Sequence, residues 1–349
     1  MVRFRLIFSV ILLFLPAYLC GCGSSERISW RLKQGDTYSV KVHLISDLSM
    51  IFGGVDHKDS KMQLNCHVKE ADRQQILIEA TIASVKASMS SLGKKFSFDS
   101  DQAPDQAPGA KPKKKSKTEQ QQTFTNAFAG LKGKKFTVRM DSRQPATELV
   151  KMDPLIKKAA YAGAGGSMIG GDQVNMLLAE GNLREYVTGG LMVGSDAEPA
   201  QQNATWEGRG SVLVPYTPVT ATVKSYTIES IEEQQDKKMA VIKYDVTRDQ
   251  VSSASAKTHK PSKPTKPRRP RKRVSKSTFN VDHVKGQGNL TFSLDNGRPV
   301  KLTEKTRVFV SSRTRSRRPA SAKPSGSKKP RAKAKIFYTV QKTIEYTNN

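Results

Sequence analysis

Apolar and polar residues alternate with a period of two through most of this chain. Val40, Val42 and Leu44 form one such run; Met62, Leu64, Cys66 and Val68 another. Ala240, Ile242, Tyr244 and Val246, and then Ile336, Tyr338 and Val340, repeat the pattern near the other end. A period of two puts all the apolar side chains on one face of a strand, which predicts antiparallel sheet with one buried and one wetter face. The middle of the chain has a different texture. Asp153-Pro154 predicts a helix start, with Asp153 as cap, Pro154 at the first helical position, and Leu155, Ile156, Ala159 and Ala160 on one side. After the glycine-rich "GAGGSMIGG", Asp172 is expected to cap a second amphipathic stretch. Its stripe of Val174, Leu177 and Leu178 continues through Leu183, Tyr186 and Val187.

The strand pattern repeats. "KKFTVRMDSRQPATELVK" (134–151) aligns without gaps to "GNLTFSLDNGRPVKLTEK" (288–305), matching Asp141 to Asp295 and Pro145 to Pro299. Asn296-Gly297 in the second copy predicts a two-residue hairpin turn with both residues at positive φ. Upstream, "QQILIEATIASVKASM" (74–89) has its counterpart in "KKMAVIKYDVTRDQV" (237–251), and each follows a further alternating segment. The fold class expected is α+β and mainly antiparallel β: two pseudo-repeated halves joined by a short helical segment that covers the sheet.

Charge changes this picture by separating body from insertions. The formal net charge is +28, and three tracts without Asp or Glu hold 25 of it. Residues 111–117 contribute five basic side chains, among them Lys111, Lys113, Lys114 and Lys115. Residues 257–276 contribute ten, including Lys263, Lys266, Arg268, Arg269, Arg271, Lys272 and Arg273; residues 313–335 contribute ten more, including Arg315, Arg317, Arg318, Lys328, Lys329 and Arg331. With Arg3 and Arg5 also set aside, the rest of the chain carries +1. The tracts are rich in Pro, Ser and Ala and lack aromatic residues, a composition that favours disordered loops over a packed core. These basic side chains are the candidate anion-binding residues.

The N-terminus supplies an address. Arg3 and Arg5 precede an apolar run from Leu6 to Leu19, the build of a signal peptide and shorter than the roughly 20 residues of a membrane-spanning helix. The run ends at Leu19-Cys20-Gly21-Cys22, which resembles the lipobox of bacterial lipoproteins, with Cys22 as the lipid-attachment residue. The resulting organisation is a signal peptide (1–21), a linker (22–30), and a first β half (31–152) with a basic insert at 101–122. A helical connector (153–200) and a second β half (201–349) with inserts at 252–277 and 312–335 complete it. Loss of Cys20 with the signal peptide leaves Cys66 as the one remaining thiol, on the apolar phase of its strand, where a structural role is expected.

The opening "QGDTYSVKVHL", the segment "LKGKKFTVRMDSRQPATEL", the central helices and "NATWEG" resemble a family of exported planctomycete proteins known as a domain of unknown function. The resemblance covers residues 30–346 outside the basic tracts. "NATW" keeps Trp206 but lacks the Gly-Asp pair usual before that tryptophan. It implies export and fold, and brings no catalytic residue.

The residues for chemistry are sparse. Among His43, His57, His67, His259 and His283 no pair has metal-ligand spacing. Asp56, His57 and Asp59 in "VDHKDS" are read as a polar turn rather than a metal site. The glycines at 163–166 lack the Lys-Ser/Thr of a phosphate loop. No enzyme, cofactor or metal is expected. The expected protein is an envelope lipoprotein attached to a membrane through its N-terminal lipid, whose cationic loops contact anionic surface polymers or lipids. Nucleic acid would be bound non-specifically and in a salt-dependent way, but an exported protein does not meet the genome. The alternative is a periplasmic carrier holding a hydrophobic ligand or lipid on a curved β-sheet.

Overall fold

The computed structural model describes residues 28–49, 54–72, 74–102, 119–141, 147–164, 169–190, 200–214, 217, 219–234, 236–249, 278–313 and 335–348. Alternation produces long strands: β1 (Thr37–Ser49), β2 (Val55–Ala71), β3 (Gln75–Ser91) and β4 (Lys94–Asp99) open the fold. Helix α1 (Glu119–Phe128) follows, then β5 (Lys135–Asp141) and β6 (Thr147–Met152). The central helices are α2 (Pro154–Ala164), α3 (Gly171–Leu178) and α4 (Glu180–Thr188). The remainder is β7 (Thr205–Val212), β8 (Thr220–Gln234), β9 (Lys237–Arg248), β10 (Thr278–Ser293), β11 (Arg298–Arg313) and β12 (Lys335–Asn348).

All twelve strands join one antiparallel sheet in the order β6-β5-β3-β2-β1-β12-β11-β10-β9-β8-β7, with β4 paired to the far part of β3. The first and last strands form its centre, with registers running from Tyr38 opposite Asn348 to Leu48 opposite Tyr338. One face carries the apolar phase of every long strand. Val40, Leu64, Ile78, Ile242, Leu290 and Ile344 are all fully buried there.

Helix α4 makes contacts with strands far apart in the sheet order. Arg184 Nη1 donates to the Thr147 carbonyl of edge strand β6 (2.7 Å). At the opposite edge, a Cβ on Gly181 would lie 2.8 Å from Ser211 Oγ of β7. In the centre, Tyr38 Oη of β1 donates to the Val187 carbonyl (3.2 Å). Eleven flat strands would span about 48 Å at ~4.8 Å per gap, whereas a helix is only ~10 Å across. One short helix can touch both edges and the middle only if the sheet curls around it.

Several local expectations change. Helix α2 starts as the residues dictate, with Asp153 Oδ1 accepting from Leu155 N (2.8 Å); Ile156 is buried but Leu155 is exposed. Asp172 is not a cap. Helix α3 begins two residues earlier than that cap would place it, after Gly170 in the left-handed region (φ 81°), where the Phe124 ring leaves no room for a Cβ. The Asp172 carboxylate pairs instead with the buried Lys58 of β2. The turn after β10 has four residues, 294–297, not two, and of Asn296 and Gly297 only Gly297 takes positive φ (57°). Its ends are held from outside: Leu294 N donates to the Lys238 carbonyl, and Arg31 N to the Gly297 carbonyl. "VDHKDS" is no turn, since its residues lie in β2 and pair across to β1.

Two boundaries also shift. Ile28 is buried and Trp30 meets Phe292 edge-to-face at 6.4 Å, so residues 28–30 belong to the core rather than a linker. The first insert, placed at 101–122, loses its end to helix α1, which packs Phe124 and Phe128 on Phe96 and Phe98 of β4. Among the described residues, no helix is long and apolar enough to cross a membrane.

Candidate functional site: a charged interior and an open polar face

Besides the Lys58–Asp172 pair, a cluster of four charged side chains interrupts the apolar interior. Lys224 of β8, Glu304 of β11 and Lys342 of β12 meet Glu185 of α4 in a closed ring of alternating sign. Lys224 Nζ lies 2.7 Å from both Glu185 Oε1 and Glu304 Oε2. Lys342 Nζ lies 2.7 Å from Glu185 Oε2 and 3.4 Å from Glu304 Oε1. Their side chains are 7–13% exposed. Tyr244 Oη donates to Glu304 Oε2 (3.0 Å) and Thr306 Oγ1 to Glu304 Oε1 (3.1 Å). Tyr226 Oη donates to the Gly190 carbonyl just past α4 (2.9 Å).

Burial pushes Glu185, Glu304 and Lys224 towards their neutral forms, and their neighbours oppose it. The Lys224 and Lys342 ammonium groups outweigh burial at Glu304 and Glu185 and hold both carboxyls below their usual range. Burial likewise works against Lys224, but Glu185 and Glu304 hold it well above the ordinary lysine value. Burial raises the phenols of Tyr226 and Tyr244, keeping them neutral. Each carboxylate is therefore compensated by two ammonium groups, an arrangement suited to pinning α4 onto three strands. A cavity of about 40 Å³ beside the ring, bordered by Asn182, Ser211 and Thr222, has space for water and none for a substrate.

The ring was legible in principle. Lys224 shares its strand phase with Tyr226 and Ile228, Glu304 with Leu302 and Val308, and Lys342 with Tyr338 and Ile344. An ion on the apolar phase of three separate strands is the signal that sequence reading passed over.

The opposite face of β8–β12 is open and carries a groove of about 550 Å³. Its floor is two transverse rows of polar side chains. One runs Ser225, Asp245, Gln287, Lys305, Gln341. The adjacent row runs Thr227, Lys243, Asn289, Thr303, Thr343 and continues onto β1 at His43. His43 Nε2 lies 3.0 Å from Asp59 Oδ1, and His57 Nδ1 lies 2.8 Å from Asp47 Oδ1. These are cross-strand pairs on the polar phase, and no group of three potential ligands could hold a metal among the described residues.

Cys22 and the basic candidates Lys111, Lys113, Lys114, Lys115, Lys263, Lys266, Arg268, Arg269, Arg271, Lys272, Arg273, Arg315, Arg317, Arg318, Lys328, Lys329 and Arg331 lie outside the described residues. Their flanks do not. The second tract falls between Arg248 and Thr278, the third between Arg313 and Lys335. Thr278 pairs with Arg313 and Ser311 with Lys335, whereas β9 stops short of them, its last pair being Thr247 opposite Lys285. Thr278, Arg313 and Lys335 are therefore neighbouring strand ends at one end of the sheet, and Arg248 lies part-way along β10. Glu119 after the first tract starts α1, where Gln120 meets Lys94 at that same end. Ile28 to Asp36 dock at the other end, through Arg31 and Gly297. The 16 residues of β10 separate the two ends, about 50 Å at ~3.3 Å per residue.

The fold is a mostly antiparallel, open twelve-stranded sheet with a few helices. No protein-family model and no curated protein matches the sequence. Among solved structures it is similar to lipovitellin, described for its lipid–protein interactions, with a TM-score of 0.41 and 8% identity over 91% of this chain. The chain spans only 26% of that lipovitellin chain. It is also similar to an outer membrane channel from Pseudomonas putida F1, with a TM-score of 0.20 and 7% identity over 93% of this chain and 98% of the channel. Both are too remote to bear on function.

Proposed function

We propose that this protein is an envelope-anchored binding or scaffold protein, attached by lipid at Cys22, whose Lys/Arg/Pro-rich segments contact anionic polymers or lipids. One observation carries the reading. Thr278, which follows the second ten-charge tract, and Arg313 and Lys335, which bracket the third, are neighbouring strand ends, about 50 Å (one strand of 16 residues) from the end where Ile28 docks. A lipid at Cys22 would lie near the docked end. Thr278, Arg313 and Lys335, which border the cationic segments, would then lie at the end remote from the anchoring bilayer, which suits contact with a polymer or a second surface. Twenty concentrated cations attract such a partner over a screening distance of ~8 Å in physiological salt.

A duplicated body with a helical connector over its sheet accompanies this reading. Its support is matching register: Ala80 opposite Phe136 and Ile78 opposite Val138 in one half correspond to Ile242 opposite Leu290 and Ala240 opposite Phe292 in the other. The carrier alternative gains nothing from the open groove, whose amide, hydroxyl and charged lining does not suit an acyl chain. Deletion of 257–276 and 313–335 tests the main reading. Retention on heparin at moderate salt should be largely lost, with a reduced salt slope; unchanged retention would move the grip to the body.

A further inference from the structure

The open face carries more than the polar groove. Continuing from the row of Gln287, Lys305 and Gln341, the next row brings Lys285 directly opposite Arg307. Like charges paired across strands repel each other, and neither has an ion-pair partner among the described residues. The nearest carboxylate in that row, Asp47, is two strands from Arg307 and bonded to His57. One row further, His283, Phe309 and Phe337 form an aromatic patch, with ring centroids 5.8 and 5.3 Å apart. Phe337 is 47% exposed, an aromatic ring open to solvent beside the unpaired cations.

We propose that this strip, from Phe337 and Phe309 across Arg307, Lys285 and Lys305 to the groove, binds a strand of acidic polysaccharide rich in uronic acid. The three parts fit the three parts of such a chain. The exposed Phe337 ring, backed edge-to-face by the half-buried Phe309, offers an apolar face to the C–H groups of a pyranose. Unpaired cations take carboxylates, with Arg307 able to do so in two-pronged fashion. Gln287, Asn289 and Gln341 each present donors and acceptors together, which suits sugar hydroxyls. From Phe309 to Thr303 the strip runs about 20 Å along β11, long enough for an extended oligosaccharide. Nucleic acid would call for more cations per unit length, and lipid for an apolar wall. The inference rests on the proposed function for the kind of partner but not for the site.

The test uses the full chain, wild type and the surface variants Phe337→Ser and Arg307→Gln, by calorimetry with a defined oligogalacturonate. Its methyl ester (rings without charge) and inorganic polyphosphate (charge without rings) are the controls. At about 0.5 M salt, where the Debye length falls to a few ångström, polyphosphate binding by the basic tracts should vanish while oligogalacturonate stays bound. Each substitution should weaken oligogalacturonate about tenfold, as expected for one stacking or charge-assisted contact. Phe337→Ser should leave low-salt polyphosphate binding unchanged. Equal loss of both ligands in high salt, or indifference of oligogalacturonate to both substitutions, would overturn this site while leaving the tract reading intact. Absence of polyphosphate binding at low salt would instead sink the tract reading alone.

Discussion

Gly288 of β10 lies against the Tyr244 ring so closely that a Cβ there would fall 2.2 Å from the ring's Cζ. The ring occupies the room that a side chain on Gly288 would need. That position lets its hydroxyl reach Glu304 while the ring faces the Lys224 ammonium, 4.9 Å from its centroid. Gly288→Ala must push the phenol aside, an overpacking change worth about 1–3 kcal/mol. Urea unfolding should show this loss, whereas Gly35→Ala, with nothing near its Cβ, reports only the strain of its positive φ.

The buried ring predicts asymmetry between breaking and replacing. Lys224→Met leaves Glu185 and Glu304 facing each other with only Lys342 between them. Stranding a buried charge in this way costs about 3–5 kcal/mol. Replacing all four members by apolar residues of similar volume should cost less than that single change. Comparing the denaturation midpoints of the two variants checks the order.

The same groups set the acid limit of the fold. Glu185 and Glu304 titrate lower in the folded chain than in the unfolded one. Their contribution is complete above the unfolded value near 4.5 and is lost as pH falls through the lower folded values. Lys224 is shifted upward, so its contribution is complete below the unfolded value near 10.5 and fades only above it. Melting temperature should be flat from pH 6 to 9 on account of these groups and fall steeply below about pH 4. Lys224→Met should flatten the acid limb.

Period-two alternation sufficed for the sheet, because strand phase is fixed wherever one face is buried. Val40, Leu64, Ile242 and Tyr338 all lie on the face their phase predicts. Cap chemistry held at Asp153 and failed at Asp172, since a carboxylate near a helix start is equally free to pair with a lysine, and Lys58 is 114 residues away in sequence. Helix α1 was missed because Phe124 and Phe128 make only one turn of apolar signal beside a basic tract. The ion ring needed β8, β11, β12 and α4 brought together, and no local pattern encodes that meeting. The facing pair Lys285 and Arg307 is likewise a product of register, invisible until β10 and β11 are aligned.

Cys66 should be chemically silent in the native protein. It is buried beside Tyr38, and burial raises its thiol to about 12. Thiolate is the reactive form, so both access and ionisation oppose modification. A maleimide should label the folded, processed chain at a negligible rate at pH 8 and label it fully in denaturant. Rapid native labelling would mean that the β1–β2 face opens far more readily than its packing allows.

The final prediction concerns the anchor, on which the orientation of the molecule depends. Gly21 gives Cys22 the small preceding residue that a lipobox uses, whereas Cys20 follows the bulky Leu19. Cys22→Ala should therefore abolish labelling by a fatty-acid probe and shift the protein to the soluble fraction, while Cys20→Ala leaves both unchanged. Under the proposed reading the lipid and the basic segments make separable contributions, because Arg31 docks at one end of the sheet and Thr278 and Arg313, which border the basic segments, lie at the other. High salt should strip Cys22→Ala protein from any residual membrane contact, since screening removes cation-driven attraction and leaves acyl insertion intact. Salt-resistant membrane association of Cys22→Ala would mean that an apolar element other than this lipid holds the chain to the bilayer.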